Sequence, residues 1–391
     1  MKESLKPELE AYALKGHFAA LNLTNAIPKR VHLISSELSL LGSIEQICWE
    51  RFDRGNAPPD AHLIQAGSSL TYLFKLAITL IRGHFKAYLF DDMRLLPLVA
   101  IIGKIKGAKL IYNRQEVPTL DASRALTKLL RLPKSWSISI AEAVEAFFGR
   151  WVDLVISIPL SESCSERLAK WGQPLVTMMN VPEKANAALP RRPSSRSADE
   201  PAMLIYSGAV SLENGLLSYL RLVRRLSGAG GCCEVRLLLI GRLWKSSAEA
   251  LQALIRQESC EGLVEYREWV PYDELMVLLS SADIGLAMTD PGYEKYAHMG
   301  DGASRKVFTY MAAGVPVIAG GVFGKVIAEE RAGHFVEYDD VDAMFAAAQS
   351  ILSDPAEALA MSERAQSAIL NKYNWEIERG KLIGLLREVT S

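Results

Sequence analysis

Apolar positions along this chain alternate between short runs and stripes at helical spacing. The runs at 62–65 (HLIQ), 87–90 (AYLF), 109–112 (KLIY), 153–158 (DLVISI) and 176–179 predict strands in the first half. Residues 30–35 (RVHLIS) read as the strand before them, after a preliminary helix and turn ending at Pro28. Between the runs, helical spacing covers 38–52, 70–82, 95–106, 121–131, 138–152 and 160–171. The second half repeats the plan. Strands are expected at 203–206 (MLIY), 235–240 (VRLLLI), 264–268 and 315–319, with helices at 248–257, 305–313, 342–353, 355–372 and 376–389. Such alternation argues for parallel strands joined by helical crossovers, an α/β chain.

Residues 184–202 shift to Pro, Ser, Ala and Arg, the composition of a linker. They divide an N-terminal domain, 1–183, from a second domain, 203–372, and a final helical segment, 373–391. With 391 residues there is chain enough for two cores. The net charge of −1 offers no global attraction to nucleic acid. Cys48, Cys164, Cys232, Cys233 and Cys260 form no C-x-x-C pair, which suits reduced thiols in a cytoplasmic protein. The opening residues have no signal-type apolar core, and no run is long enough for a membrane span.

Candidate chemistry concentrates in 303–321, ASRKVFTYMAAGVPVIAGG. Ser304 is placed to cap a helix over 305–313, with its side-chain oxygen accepting from the first turn. Gly314 and Pro316 end that helix. Arg305 and Lys306 add two cations where the helix dipole is already positive. Either water screens them, or they bind an anion that the free amides, the dipole and both charges favour together. Other candidates follow strand ends, where open parallel sheets bind ligands. Gly208 offers close backbone approach or merely a tight turn. Arg242, with Lys245 behind it, meets a phosphate or a neighbouring carboxylate. Glu116, after Gln115, lies near such a cleft or is a solvated loop carboxylate. His298 and Asp301 are the titratable groups of the polar loop 289–302, where a lone His is more often solvated than catalytic.

The 303–321 stretch resembles the donor-binding motif of GT-B glycosyltransferases, especially family 4, which commonly reads Pro-(Ser/Asn)-Lys-x-x-Glu-Tyr-Met-Ala-x-Gly-x-Pro-Val. Ser304, Lys306, Tyr310, Met311, Ala312, Gly314, Pro316 and Val317 align if Arg305 is an insertion. The family's E-x7-E pair falls on Asp301 and Thr309, so both acidic positions are altered. The segment GAKLIYNRQEVP resembles the family's Lys-(Leu/Ile)-(Val/Ile)-Tyr-Asp-x-His-Glu, with Asn113 for Asp, Gln115 for His, and Glu116 retained. YSGAVSLENGLLSYL and WVPYDELMVLLSSADIGLAM are similar to two further family motifs.

The resemblance implies a GT-B fold: two Rossmann-like domains facing across a cleft, with the C-terminal helix crossing back to the N-terminal domain. It implies metal-independent transfer of a sugar from a nucleotide-diphosphate donor to a hydroxyl, with retention, in polysaccharide or glycolipid assembly, and no cofactor. Glu116 and Asp301 would be catalytic. Gly208, Arg242, Lys245, Val270, Ser304, Arg305, Lys306 and Thr309 would bind the donor, Val270 flanking the base. A nucleotide-sugar epimerase and a non-catalytic glycosyltransferase-like subunit remain as alternatives. Finally, 121–134 holds Arg124, Lys128, Arg131 and Lys134 with Leu126, Leu129 and Leu130. It is either a basic amphipathic helix at the inner face of the cytoplasmic membrane, reaching a lipid-linked acceptor, or a core helix with a solvated basic face.

Overall fold

The computed structural model describes residues 16–22, 29–50, 61–115, 117–188, 200–228, 234–244 and 246–390. The chain divides into two compact units: Met1–Met178 with Arg379–Ser391, and Met179–Glu378.

The first unit holds a seven-stranded sheet of β1 (Gly16–Asn22), β2 (Gly42–Glu50), β3 (His62–Gln65), β4 (Ala87–Phe90), β5 (Lys109–Arg114), β6 (Leu154–Ser157) and β7 (Leu175–Thr177). Its order is β3-β2-β1-β4-β5-β6-β7, and every pairing is parallel. Parallel strands covered on both faces need apolar side chains on both sides, hence runs such as Ala87–Phe90, buried throughout. Ala19, Leu21, Tyr88, Phe90, Leu110 and Tyr112 form one face of the core. Phe18, Ala20, Leu89 and Ile111 point the other way and are also buried.

The beginning of the chain corrects the sequence reading. The first strand is Gly16–Asn22, within the stretch expected to be helix. Residues 30–35 are helical, in Lys29–Leu38, and most of 38–52 is the strand Gly42–Glu50. The apolar runs here are too short to separate the two periods. Val31, Ile34 and Leu38 also fit a helical stripe, and Ile34 and Leu38 are fully buried along it. Gly42–Glu50 becomes a strand because it completes the sheet between β1 and β3, a tertiary pairing that outweighs local preference.

The second unit holds six strands: β8 (Ala202–Ser207), β9 (Val235–Ile240), β10 (Val264–Arg267), β11 (Ile284–Thr289), β12 (Val317–Gly321) and β13 (Gly333–Val336). The order β10-β9-β8-β11-β12-β13 is the same doubly wound plan, again all parallel. Leu204, Tyr206, Leu237 and Leu286 pack with helices Leu216–Ser227 and Val341–Ser353 on one face. Ile205, Leu238, Ala287 and Val317 pack with Tyr272–Ser281, Arg305–Ala313 and Pro355–Asn371 on the other. Strand order reverses direction between β8 and β11, and a fold of this kind leaves a crevice at that point beyond the carboxyl ends.

Residues 189–199 of the expected linker, and Cys232 with Cys233, lie outside the described residues. Cys48, Cys164 and Cys260 are buried. Helix Trp375–Thr390 spans the division between the units, and on its first-unit side Arg379 pairs with Glu37 at 3.2 Å. Among the described residues, no helix is long and apolar enough to cross a membrane.

Candidate functional site

Helix Arg305–Ala313 is bounded as its sequence dictates: no Gly or Pro inside, and Gly314 in the left-handed conformation behind it. It is pinned beside the end of β8 by Tyr310, a fully buried residue whose hydroxyl oxygen accepts the Ser207 amide at 2.7 Å. Ser304 stands at the N-cap with extended backbone, but its hydroxyl makes no capping bond, which corrects the expectation of a side-chain cap. The helical pattern of the sequence does not encode the direction of that hydroxyl. Its silence leaves first-turn amides without that side-chain acceptor.

Lys306 leaves the first turn and lies along the end of β8. Its Nζ donates to Tyr206 Oη at 2.9 Å and sits 4.1 Å from the centroid of the Tyr206 ring. The Tyr206 hydroxyl donates to the Ala209 carbonyl at 2.7 Å, leaving a lone pair on its oxygen for the lysine. Among the described residues no carboxylate pairs with Lys306, and burial pulls its amine down to about 7. Held by a neutral phenol, this half-buried amine loses its proton readily, and an anion beside it would favour the charged form.

Gly208 makes room for this. A Cβ there would lie 3.1 Å from Lys306 Cε and 3.2 Å from Tyr206 Oη. The neighbouring turn at Gly241 is tighter still, since a Cβ on it would stand 1.9 Å from the Gly208 carbonyl oxygen. Both glycines have positive φ, 138° and 133°. The β8 and β9 ends thus meet backbone to backbone, and the exposed Arg242 follows directly, its carbonyl accepting the Val210 amide at 2.9 Å. Arg305 is directed elsewhere, with its guanidinium carbon 5.8 Å from the Tyr272 ring centroid.

Gly208, Lys306 and Tyr206 are therefore brought together, with Arg242 on the adjoining strand end. The remaining donor candidates have other surroundings. Thr309 is buried, and its hydroxyl donates to the Arg305 carbonyl at 3.0 Å within its own helix. Val270 is half-buried and packs on the core behind the exposed Trp269. Asp301 accepts the Gly324 amide at 3.0 Å on one oxygen and the Val326 amide at 3.2 Å on the other, so it holds the start of helix Lys325–Glu329. Glu116 and Lys245 lie outside the described residues.

In the first unit, β5 ends on Asn113 and Arg114, both without exposure. Arg114 Nε lies 2.9 Å from Glu145 Oε1, which also accepts from Tyr112 Oη at 3.2 Å. At the end of β4, burial and the adjacent Asp92 raise the Asp91 carboxyl to about 7. Residues 121–130 belong to helix Pro118–Leu130. Arg124 bonds Asp121 at 2.8 Å, Leu126 packs on the core, and Leu130 is exposed. Sequence reasoning aligned Tyr310 with the motif without giving it a role, and it missed Tyr206 as the partner of Lys306. Their signal was available in outline: a tyrosine at the end of a central strand, and another one turn along the helix beside it.

Two doubly wound units of this kind are the GT-B architecture. Residues 201–354 match the family described as glycosyl transferases group 1. No curated protein matches the chain in sequence. Among solved structures, the chain is similar to sucrose-phosphate synthase from Thermosynechococcus elongatus, with TM-score 0.66 and 17% identity over 96% of this chain and 99% of that one. It is similar to Anabaena HepE in complex with UDP and glucose, with TM-score 0.69 and 12% identity over 95% and 100%. It is also similar to the E. coli trehalose-6-phosphate structure bound with UDP-2-fluoro glucose, with TM-score 0.65 and 13% identity over 95% and 99%. At such identities the likeness shows the fold.

Proposed function

We propose that this chain is a family 4-type glycosyltransferase that moves a sugar, with retention, from a nucleoside-diphosphate sugar to a hydroxyl acceptor in polysaccharide or glycolipid assembly. The observation that carries the reading is Lys306: a lysine in the first turn of a helix, at the end of β8, with a phenol for partner and no carboxylate among the described residues. The group 1 match over 201–354 and the UDP and UDP-sugar complexes among similar structures support it. In this reading the diphosphate meets the first-turn amides, Lys306 and Arg242, with Gly208 allowing close approach and Val270 beside the base. As the bond from the anomeric carbon to the diphosphate breaks, these groups stabilise the charge that gathers on the leaving oxygen. Glu116 is the acceptor-hydroxyl ligand and takes that hydroxyl's proton as the acceptor oxygen bonds the anomeric carbon on the face the diphosphate vacates, which retains configuration.

A second reading, donor binding without transfer, draws on the engaged state of the altered acidic pair: Asp301 holds backbone amides and Thr309 bonds its own helix. One experiment separates them. Thermal shift across nucleoside diphosphates and their sugars should identify the base and sugar, and a transfer assay with the stabilising donor follows. Shift with transfer supports the first reading, and shift without transfer the second. No shift with any donor, or equal shifts in wild type and in both Lys306→Ala and Arg242→Ala, would overturn the site.

A further inference from the structure

Three neighbouring helices of the first unit carry apolar side chains on the wrong side for a core. Helix Ser69–Arg82 buries Tyr72, Leu76 and Leu80 against the sheet. Its opposite side presents Leu70, Phe74 and Ile81, which are 80%, 68% and 57% exposed. Spacings of four and seven residues put these three on one outward stripe. Helix Leu96–Lys106, packed beside it, buries Val99, Ala100 and Ile102 and exposes Ile101 and Ile105, four residues apart. Helix Lys134–Gly149, packed on the other side of Leu96–Lys106, repeats the first pattern with exposed Trp136, Ile140 and Phe147. The inner sides of all three contribute to the same core cluster on one face of the sheet. Their outer stripes therefore all face away from that same side. Of the sixteen exposed large hydrophobics among the described residues, these stripes hold eight, a concentration that scattered surface apolar residues do not produce.

The charges around the stripes have one sign. Helices Ser69–Arg82 and Leu96–Lys106 contain Lys75, Arg82, Lys104 and Lys106 and no Asp or Glu. Lys106 also ties the two helices, donating to the Ile81 carbonyl at 2.9 Å. On Lys134–Gly149 the two acids are turned from the stripe: Glu145 bonds Arg114 and Glu142 pairs with Arg167. A two-fold pairing of this face with a second copy would set cations against cations. We infer that the outer face of helices Ser69–Arg82, Leu96–Lys106 and Lys134–Gly149 seats on an anionic lipid surface, its apolar stripes entering the headgroup boundary and its lysines and arginine meeting lipid phosphates. A face that is apolar at its centre and cationic beside it suits that solvent and no uniformly polar one. This moves the membrane contact from 121–134 to a broader platform, on which the exposed basic side of Pro118–Leu130 is at most an edge.

The test uses the full chain and vesicles of phosphatidylcholine alone or with phosphatidylglycerol. Wild type should sediment with the anionic vesicles only, and less at high salt. Phe74→Ser with Ile105→Ser changes exposed side chains and should lower the partition by about tenfold or more, with an unchanged melting curve. Arg82→Glu with Lys104→Glu should do the same. If Arg124→Glu with Lys128→Glu abolishes binding while both other pairs leave it intact, the platform is wrong and the basic helix is the contact. Absence of wild-type sedimentation would overturn the inference. So would a lipid-free dimer that Phe74→Ser with Ile105→Ser dissolves, which would assign the face to a second copy.

Discussion

Lys306 Nζ lies 2.9 Å from the Tyr206 hydroxyl oxygen and 4.1 Å from the centre of its ring, and the phenol's own proton is committed to the Ala209 carbonyl. One residue thus serves the lysine as lone-pair acceptor and as quadrupole, without neutralising it. Tyr206→Phe keeps the ring and removes the acceptor. A charge-assisted bond is worth about 1.5–3 kcal/mol, so nucleoside-diphosphate affinity should fall about tenfold if the lysine swings away. Lys306→Ala should cost at least as much, up to about a hundredfold. Calorimetric titration reads both, and an unchanged affinity in Tyr206→Phe would mean that the phenol does not position the amine.

The same lysine predicts a pH dependence. Its folded pKa of about 7 lies below its ordinary 10.5, so the unfolded chain holds the extra proton between those values. Stability from this group therefore rises as pH climbs from about 7 to about 10.5, and is flat below. Donor affinity runs the other way, because the diphosphate needs the ammonium. Kd should increase above about pH 7, approaching tenfold per pH unit. Lys306→Arg, which stays charged, should flatten that profile.

Asp301 offers a separation of structure from chemistry. If its work is to hold the Gly324 and Val326 amides, Asp301→Ala should cost about 1 kcal/mol in urea denaturation, as a lost helix cap does. Transfer should then fall no further than stability explains. A large loss of transfer in a stable Asp301→Asn would instead give the carboxylate a catalytic part.

The contact of Gly241 with Gly208 admits no side chain. Gly241→Ala would put a methyl 1.9 Å from a carbonyl oxygen in a backbone conformation that alanine resists. About 3 kcal/mol of destabilisation is expected, together with weaker nucleotide binding, since the two strand ends must part. Thermal melting with and without a stabilising nucleotide checks it.

Arg114 and Glu145 form a buried ion pair at 2.9 Å under the end of β5. Removing the carboxylate takes a buried counter-charge from the guanidinium, so Glu145→Ala should destabilise by about 3–5 kcal/mol. Glu145→Gln, which keeps an acceptor for Tyr112, should cost less. Chemical denaturation orders the two.

Much of the fold is legible in the chain because parallel strands buried on both faces demand apolar runs, and helices that cover them demand stripes. Ala87–Phe90, Val235–Ile240, Ala248–Gln257 and Arg305–Ala313 were readable residue for residue on those grounds. The candidate site was legible in part: Arg305 and Lys306 break a local electrostatic rule, and Gly208 and Arg242 follow strand ends. Tertiary structure decided what local pattern leaves degenerate. Gly42–Glu50 is a strand only because β1 and β3 flank it. Lys306 is separated from Arg305 only by its direction, toward Tyr206 100 residues away and not toward Tyr272. The outward stripes of Ser69–Arg82 and Lys134–Gly149 read in sequence as ordinary helical apolarity, and only packing against the sheet shows which side is left to solvent. Periodicity records that a side chain is apolar. Which surface it meets is set by contacts between residues far apart in the chain.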